Sequence, residues 1–367
     1  NRGGPPGFWE VFYKKKTTGF VLQILNEELD GGDVVFKGNL ATKPLYTVNR
    51  ASLYTKSSIF LHRVIEKFLR QKGAFDAYPK FPYSNKLHTI PNFAEQIQYT
   101  ANSVFYFVSK ICNKLLSKNS KWAIGYQYCS NWSEAILHKS RVIENPLGHF
   151  YADPFLFFHH GKHYCFVEDY EYSKGKGKIS VLELSPDGER YVGVCIEEQF
   201  HLSYPFIFED SGEIFMCPES HENNDIRLYK CTEFPLRWEL AKVLMTNVDA
   251  ADTSLFKKDG TWWLLTNICS AGIGDHNSEL HIFSSKDLHT DAWIPHEANP
   301  VIFDPGKARN GGLIKERDCI YRVFQRQGWD LYGESCGVAK IKIISTDKYI
   351  EEDQFSLEPK FAHGVEG

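Results

Sequence analysis

Apolar and polar positions change rhythm near residue 121. Beyond it, short aromatic-rich runs alternate with glycine-containing or charged turns. Four segments align without gaps: DPFLFFHHGKHYCFVE from Asp153 to Glu168, YPFIFEDSGEIFMCPE from Tyr204 to Glu219, DTSLFKKDGTWWLLTN from Asp252 to Asn267, and NGGLIKERDCIYRVFQ from Asn310 to Gln325. Their starts lie 51, 48 and 58 residues apart, the period of a propeller blade. Each segment reads as a strand, a turn near Gly161, Gly212, Gly260 or Asp318, and a returning strand. A third strand follows at 178–184, 225–230 and 279–283, and runs around Trp238 and Trp293 supply a fourth. Residues 121–367 give about 250 positions, enough at this period for five blades. The fifth would combine 122–128 with strands near 337–344, closing the ring and removing exposed edges.

Before residue 121 the period is helical. Leu53, Ile59, Phe60, Val64, Ile65, Phe68 and Leu69 form a stripe over 47–71, which predicts an amphipathic helix ended by Gly73. Pro79, Pro82 and Pro91 keep 74–92 extended. A second helix is predicted over 93–116, with Val104, Phe105, Val108, Ile111, Cys112 and Leu115 on one face. Its basic end (Lys110, Lys114, Lys118, Lys121) is read first as favourable charge at a helix C-terminus, with a peripheral contact with an anionic membrane surface as the lesser alternative. Residues 1–40 read as a Gly-Gly-Pro-Pro turn, a short helix or strand at 8–13, a strand at 18–25, the Asp30-Gly31-Gly32-Asp33 turn and a strand at 34–36. That unit has no core of its own. The chain thus divides into 1–40, a helical connector at 41–120, and a mainly β propeller at 121–367.

Composition narrows the partners. With 43% hydrophobic and 24% charged residues in 367, the chain folds rather than staying disordered. A net charge of −4 leaves no basic footprint for nucleic acid. No run of ~18 apolar residues predicts a transmembrane segment. The 15% aromatic content favours sheet. Nine scattered cysteines without a CxxC pair argue against disulfides or zinc, and a reducing cytoplasm is the expected setting. Asn at the first position with no signal peptide points to a fragment. His159, His160 and His163 flank Gly161 at a turn where alternation points them apart, so no metal site is expected.

Candidate chemistry sits at the ends of the hairpins. The first and last residues of each segment are equidistant from its turn and should pair: Asp153 with Glu168, Tyr204 with Glu219, Asp252 with Asn267, Asn310 with Gln325. All eight are polar and fall at one end of their blades, so they should ring one mouth of the central channel as a sugar or polyol pocket. The competing reading is that they satisfy strand ends along a wet channel. Arg309, Arg322 and Arg326 stand beside the fourth pair and could grip an anion. The loop 272–277 falls at the same mouth.

Two resemblances add to these readings. Arg2-Gly3 followed by Pro6, Thr18-Gly19-x-x-Leu22, and Leu29-Asp30-x-Gly32-Asp33 resemble the second half of the formyltransferase catalytic domain. That resemblance implies that Asp30, which also suits a plain Asp-Gly turn, is the carboxylate of an Asn–His–Asp constellation acting on 10-formyltetrahydrofolate. The Asn and His would lie upstream of residue 1, so this chain alone should not transfer formyl groups. Ala152-Asp153-Pro154, His201-Leu-Ser-Tyr-Pro205, Pro218-Glu219-Ser220 and Asp252-Thr253 resemble the five-bladed propellers of family-43 glycoside hydrolases. They resemble more closely the propeller at the N-terminus of plant glucosamine inositolphosphorylceramide transferases. The hydrolase resemblance implies Asp153 as general base, with Glu219 and Asp252 for the acid and supporting roles, although the family's Glu-Gly-Pro acid motif is missing. The expectation is a transferase of surface-glycan or nucleotide-sugar metabolism, formylating an amino sugar in the intact parent, whose propeller holds a sugar or nucleotide-sugar without a cofactor. The alternatives are a propeller with its own glycoside hydrolase or glycosyl-transfer activity, and a non-catalytic scaffold.

Overall fold

A computed structural model describes residues 3–27, 31–70, 77–79, 84–115 and 122–358. Tight turns set the blades. His160 and Gly161 (φ 47° and 78°), Ser211 and Gly212 (55° and 80°), and Asp259 and Gly260 (51° and 70°) each place two left-handed residues in a row. That is the two-residue turn whose twist matches flanking antiparallel strands, and glycine adopts its second position without strain. The hairpins are His149–His159 with Lys162–Glu171, Ser203–Asp210 with Glu213–Glu219, Ala250–Lys258 with Thr261–Ile268, and Asn310–Glu316 with Cys319–Gly328. Each is extended outward into an antiparallel sheet, which we call blades 1 to 4 in chain order. The first strands of successive blades contact one another and line the channel.

Alternation along the strands puts apolar side chains into the seams between blades. Phe166, Val181, Ile207 and Met216 fill the seam of blades 1 and 2. Phe206, Phe215, Leu255 and Trp262 fill that of blades 2 and 3, and Phe256, Trp263, Ile282 and Ile341 that of blades 3 and 4. The expected fifth blade is not formed. Gly125–Tyr126 pairs only with Arg141–Val142. The stretch expected to join it, 337–344, is the far half of one 14-residue strand, Leu331–Ile344, whose hydrogen bonds go to its blade 4 neighbours. A two-stranded ladder therefore stands between blades 4 and 1. Ile124 and Ile143 pack on Cys165 and Leu182 of blade 1, while Trp132 stacks on Phe355 of blade 4, ring centroids 5.8 Å apart.

The described residues before 116 form a layer docked on blades 3 and 4. The strands Thr17–Ile24 and Asp33–Ala41 pair as a hairpin, and the helix Tyr46–Arg70 packs on it. The hairpin's apolar face is covered by Phe60 of that helix and Phe303 of blade 3, ring centroids 4.6 Å apart. Lys56, fully buried, pairs with Glu279 and lies 3.7 Å from Asp275, both in blade 3. Asn49 holds the near side together, donating to the Gly7 carbonyl and accepting from Thr18 and from the Lys43 N–H. The second long helix, Phe93–Leu115, reaches blade 4 through Lys110, 2.8 Å from Asp330, and through Tyr106 against Trp329. Trp329 and Asp330 form the tip of the hairpin between the last two residues paired there, Gly328 and Leu331.

Candidate functional site

The paired hairpin ends do not face each other as the symmetry predicts. Glu168 stands opposite Ala152, Glu219 opposite Ser203, Asn267 opposite Ala251 and Asn310 opposite Phe324. The slip comes from a bulge in each inner strand. In blades 1 to 3 the bulge holds Asp153, Tyr204 and Asp252 at φ 48°, 46° and 50°, a left-handed conformation that non-glycine residues adopt only when the surroundings enforce it.

The bulges are latched across the seams. In blade 2, the Glu219 carboxylate accepts the N–H of Asp252 in blade 3 at 3.1 Å. In blade 3, the Asn267 side-chain oxygen accepts the N–H of Asn310 in blade 4 at 2.9 Å. By the same rule Glu168 of blade 1 would accept the N–H of Tyr204. Instead Asp153 accepts it, at 3.2 Å. Glu168 is thereby released from a structural role. The His201 imidazole stands beside it, with Nε2 3.5 Å from Oε1. The Gly177 N–H donates to Nδ1 of His201 at 2.9 Å, so the free imidazole carries its proton on Nε2, toward Glu168. Gly177 has no substitute there, because a Cβ would sit 2.6 Å from the Leu202 carbonyl oxygen and 2.8 Å from the His201 ring.

One cation binds two of the acids. Arg309 donates to Asp252 through Nε at 2.6 Å and Nη2 at 3.3 Å, and Nη2 is 3.7 Å from Glu219. Its guanidinium lies over the Tyr332 ring, 5.0 Å from the centroid, and Nη1 donates to Asn277 of the loop over the mouth. His221 Nδ1 is 2.9 Å from the other Glu219 oxygen, and the His221 ring meets that of His276, which is bound to Asp249 at 2.6 Å.

These surroundings spread the carboxyl groups over a wide range. Burial, together with Asp153, Glu219 and Asp252, pushes Glu168 up to about 9. Burial and Glu219 push Asp153 up to about 6, against the pull of Arg309. Burial acts upward on Glu219 too, but His221 and Arg309 hold its carboxyl well below the usual range. At neutral pH the mouth therefore offers Glu168 as a neutral acid that donates a hydrogen bond beside the carboxylate of Glu219.

The other expected site residues divide. Gln325 is half-buried and donates to the Asn310 carbonyl at 3.0 Å and to Asp252 at 3.4 Å, so it borders the acids. Tyr204 is a core residue: its hydroxyl pairs with Ser254 at 2.8 Å and its ring packs on Phe155. Asn267 and Asn310 are wholly buried and consumed by the seam of blades 3 and 4. Arg322 is no anion grip, since Glu351 takes its guanidinium bidentately at 2.7 and 2.8 Å. Asp30 lies outside the described residues. The residue symmetry missed were His201, His221, His276 and Tyr332. The first two stand within or beside motifs already singled out, in His201-Leu-Ser-Tyr-Pro205 and one residue after Pro218-Glu219-Ser220. Among the described residues no group of His, Cys, Asp and Glu is arranged to hold a metal ion.

Residues 116–362 match the sequence family described as glucosamine inositolphosphorylceramide transferase 1, N-terminal. The chain belongs to this family. It is 36% identical over 218 residues to glucosamine inositolphosphorylceramide transferase 1 of Arabidopsis thaliana, covering 57% of this chain and 28% of that protein. It is 34% identical over 207 residues to the protein of the same name from Oryza sativa subsp. japonica, covering 55% and 27%. The match thus spans little more than a quarter of these relatives' length. Among solved structures, a thermostable family-43 glycoside hydrolase is similar at TM-score 0.44 and 13% identity, covering 57% of this chain and 76% of that one. An exo-β-1,3-galactanase from Phanerochaete chrysosporium follows at TM-score 0.42 and 14% identity, covering 60% and 48%. At these identities the likeness concerns fold alone. The family match begins at residue 116, and formyl transfer has no support in these comparisons.

Proposed function

We propose that the channel mouth binds an amino sugar bearing a free ammonium group, and that the propeller serves a glycosyl-transfer reaction on glycans by holding that sugar. The observation that carries this reading is the clustering of Asp153, Glu168, Glu219 and Asp252 at one mouth, with a single guanidinium, Arg309, tied to Asp252 and Glu219. An acidic pocket that mixes carboxylates with a protonated acid, Glu168, attracts an ammonium ion and offers both donors and acceptors to ring hydroxyls. The half-exposed Tyr332 beside Arg309 adds an aromatic face for the apolar side of a pyranose. The name of these relatives, which contains glucosamine, agrees with this class of ligand.

Calorimetric titration with glucosamine, glucose and N-acetylglucosamine tests it. Glucosamine should bind at least tenfold more tightly than glucose near pH 7, and Asp153→Asn should remove most of that preference. Equal affinity for the three sugars, or none for any, would overturn the reading. A hydrolytic reading has one observation in its favour, the split between a raised Glu168 and a lowered Glu219, the separation that acid and base partners need. Release of nitrophenol from aryl glycosides by the parent chain, lost in Glu168→Gln, would favour it.

A further inference from the structure

The helix Phe93–Leu115 is docked with its polar side inward. Phe93, Ile97, Val104, Val108, Ile111 and Leu115 fall on one stripe of a 3.6-residue period, and all six are between 52% and 78% exposed. The contacts come from the opposite side. Tyr99 accepts the Tyr46 N–H through its hydroxyl and packs on Phe8, Tyr106 meets Trp329, and Lys110 meets Asp330. An amphipathic helix on a folded protein ordinarily does the reverse. Its 23 residues make a rod about 34 Å long, so the outward stripe is a contiguous apolar band of the kind that marks an interaction surface.

Charge identifies the occupant. Residues 1–121 hold 18 Lys and Arg against 8 Asp and Glu, a net +10. Residues 122–367 hold 24 against 38, a net −14. The apolar stripe thus belongs to the basic part of the chain, and, beyond Lys110, which is paired with Asp330, the sequence continues with Lys114, Lys118 and Lys121. A second copy facing the same surface would set two such basic layers against each other, which is repulsive. Among the described residues no helix is long and apolar enough to cross a membrane. We infer that Phe93–Leu115 is an interfacial helix that lies in the headgroup region of an anionic phospholipid bilayer, with its apolar stripe toward the acyl chains and the basic layer attracted by the surface charge. The inference goes beyond the sugar-binding reading and does not rest on it.

Flotation of the full chain with phosphatidylcholine vesicles, with and without about one part in four of phosphatidylserine, tests it. The chain should float with the anionic vesicles, much less with neutral ones, and progressively less as salt rises. The double variant Val104→Asp/Ile111→Asp should lose at least tenfold in vesicle affinity with an unchanged circular dichroism spectrum and melting temperature, because both side chains are exposed. Failure to float, or equal flotation of parent and variant, would overturn the inference. So would a dimer in size-exclusion chromatography that the variant converts to monomer, which would assign the stripe to a second copy.

Discussion

The propeller and the amino-terminal layer treat their apolar surface in opposite ways. The ring hides aromatic side chains in the seams between blades and collects acids at its mouth. The layer buries polar groups, Lys56 and Asn49 among them, and displays an apolar stripe. The difference teaches that the ring is built from repeated, mutually sufficient seams, whereas the layer is held to the ring by local aromatic contacts at Phe303 and Trp329 and a few specific polar ties, and leaves one apolar stripe uncovered.

The tie at Lys56 should give the largest effect. Lys56→Met leaves Glu279 and Asp275 buried beside an uncharged neighbour, and should cost about 3–5 kcal/mol of unfolding free energy in a denaturant titration. The companion variant Lys56→Met/Glu279→Gln should recover much of it. A loss under about 1 kcal/mol in the single variant would show that the layer is not held as described.

The latches should come next. Asn267→Ala removes the acceptor of the Asn310 N–H and the amide donor to the Glu279 and Ala308 carbonyls, and should cost about 1–3 kcal/mol. Glu168→Gln, at the corresponding place in blade 1, breaks no latch and should not destabilise. Its signature is in pH dependence. Glu168 ionises near 9 in the folded chain against an ordinary 4.5, so between those values the folded chain keeps a proton that the unfolded chain has released. This contribution makes stability fall as pH rises from about 5 to 9. Glu168→Gln should flatten that part of the curve of melting temperature against pH, and an unchanged slope would remove the neutral acid from the mouth. The smallest effect on stability belongs to the stripe, where Val104→Asp should stay within about 0.5 kcal/mol of the parent.

Much of the architecture was legible in the sequence because its signals were local. Stripes at 47–71 and 93–116 became the helices Tyr46–Arg70 and Phe93–Leu115, and Gly161, Gly212 and Gly260 marked turns that need positive φ. The blade count was not, because nothing in residues 337–344 shows that they continue a strand begun at Leu331. The site was half legible. Alignment brought Asp153, Glu219 and Asp252 to one mouth, yet a single bulge residue shifts register by one, and left-handed Asp153, Tyr204 and Asp252 carry no mark in their identities. That slip turned Asn267 and Asn310 into seam residues, left Glu168 free, and kept His201 and His221 out of view. A helical stripe likewise cannot say whether its apolar side will face a core or solvent. The inward placement of Tyr99 and Tyr106 is set by partners distant in sequence, Phe8, Tyr46 and Trp329.

The hairpin tip at Trp329 and Asp330 joins the two regions at close range. Asp330 is fastened to the long helix, and Tyr332, two residues on, covers the guanidinium of Arg309. Two residues of extended chain span at most ~7 Å. The aromatic ring over the group that partly neutralises Asp252 and Glu219 is therefore set on the short arm of a lever whose pivot is the helix anchor at Asp330.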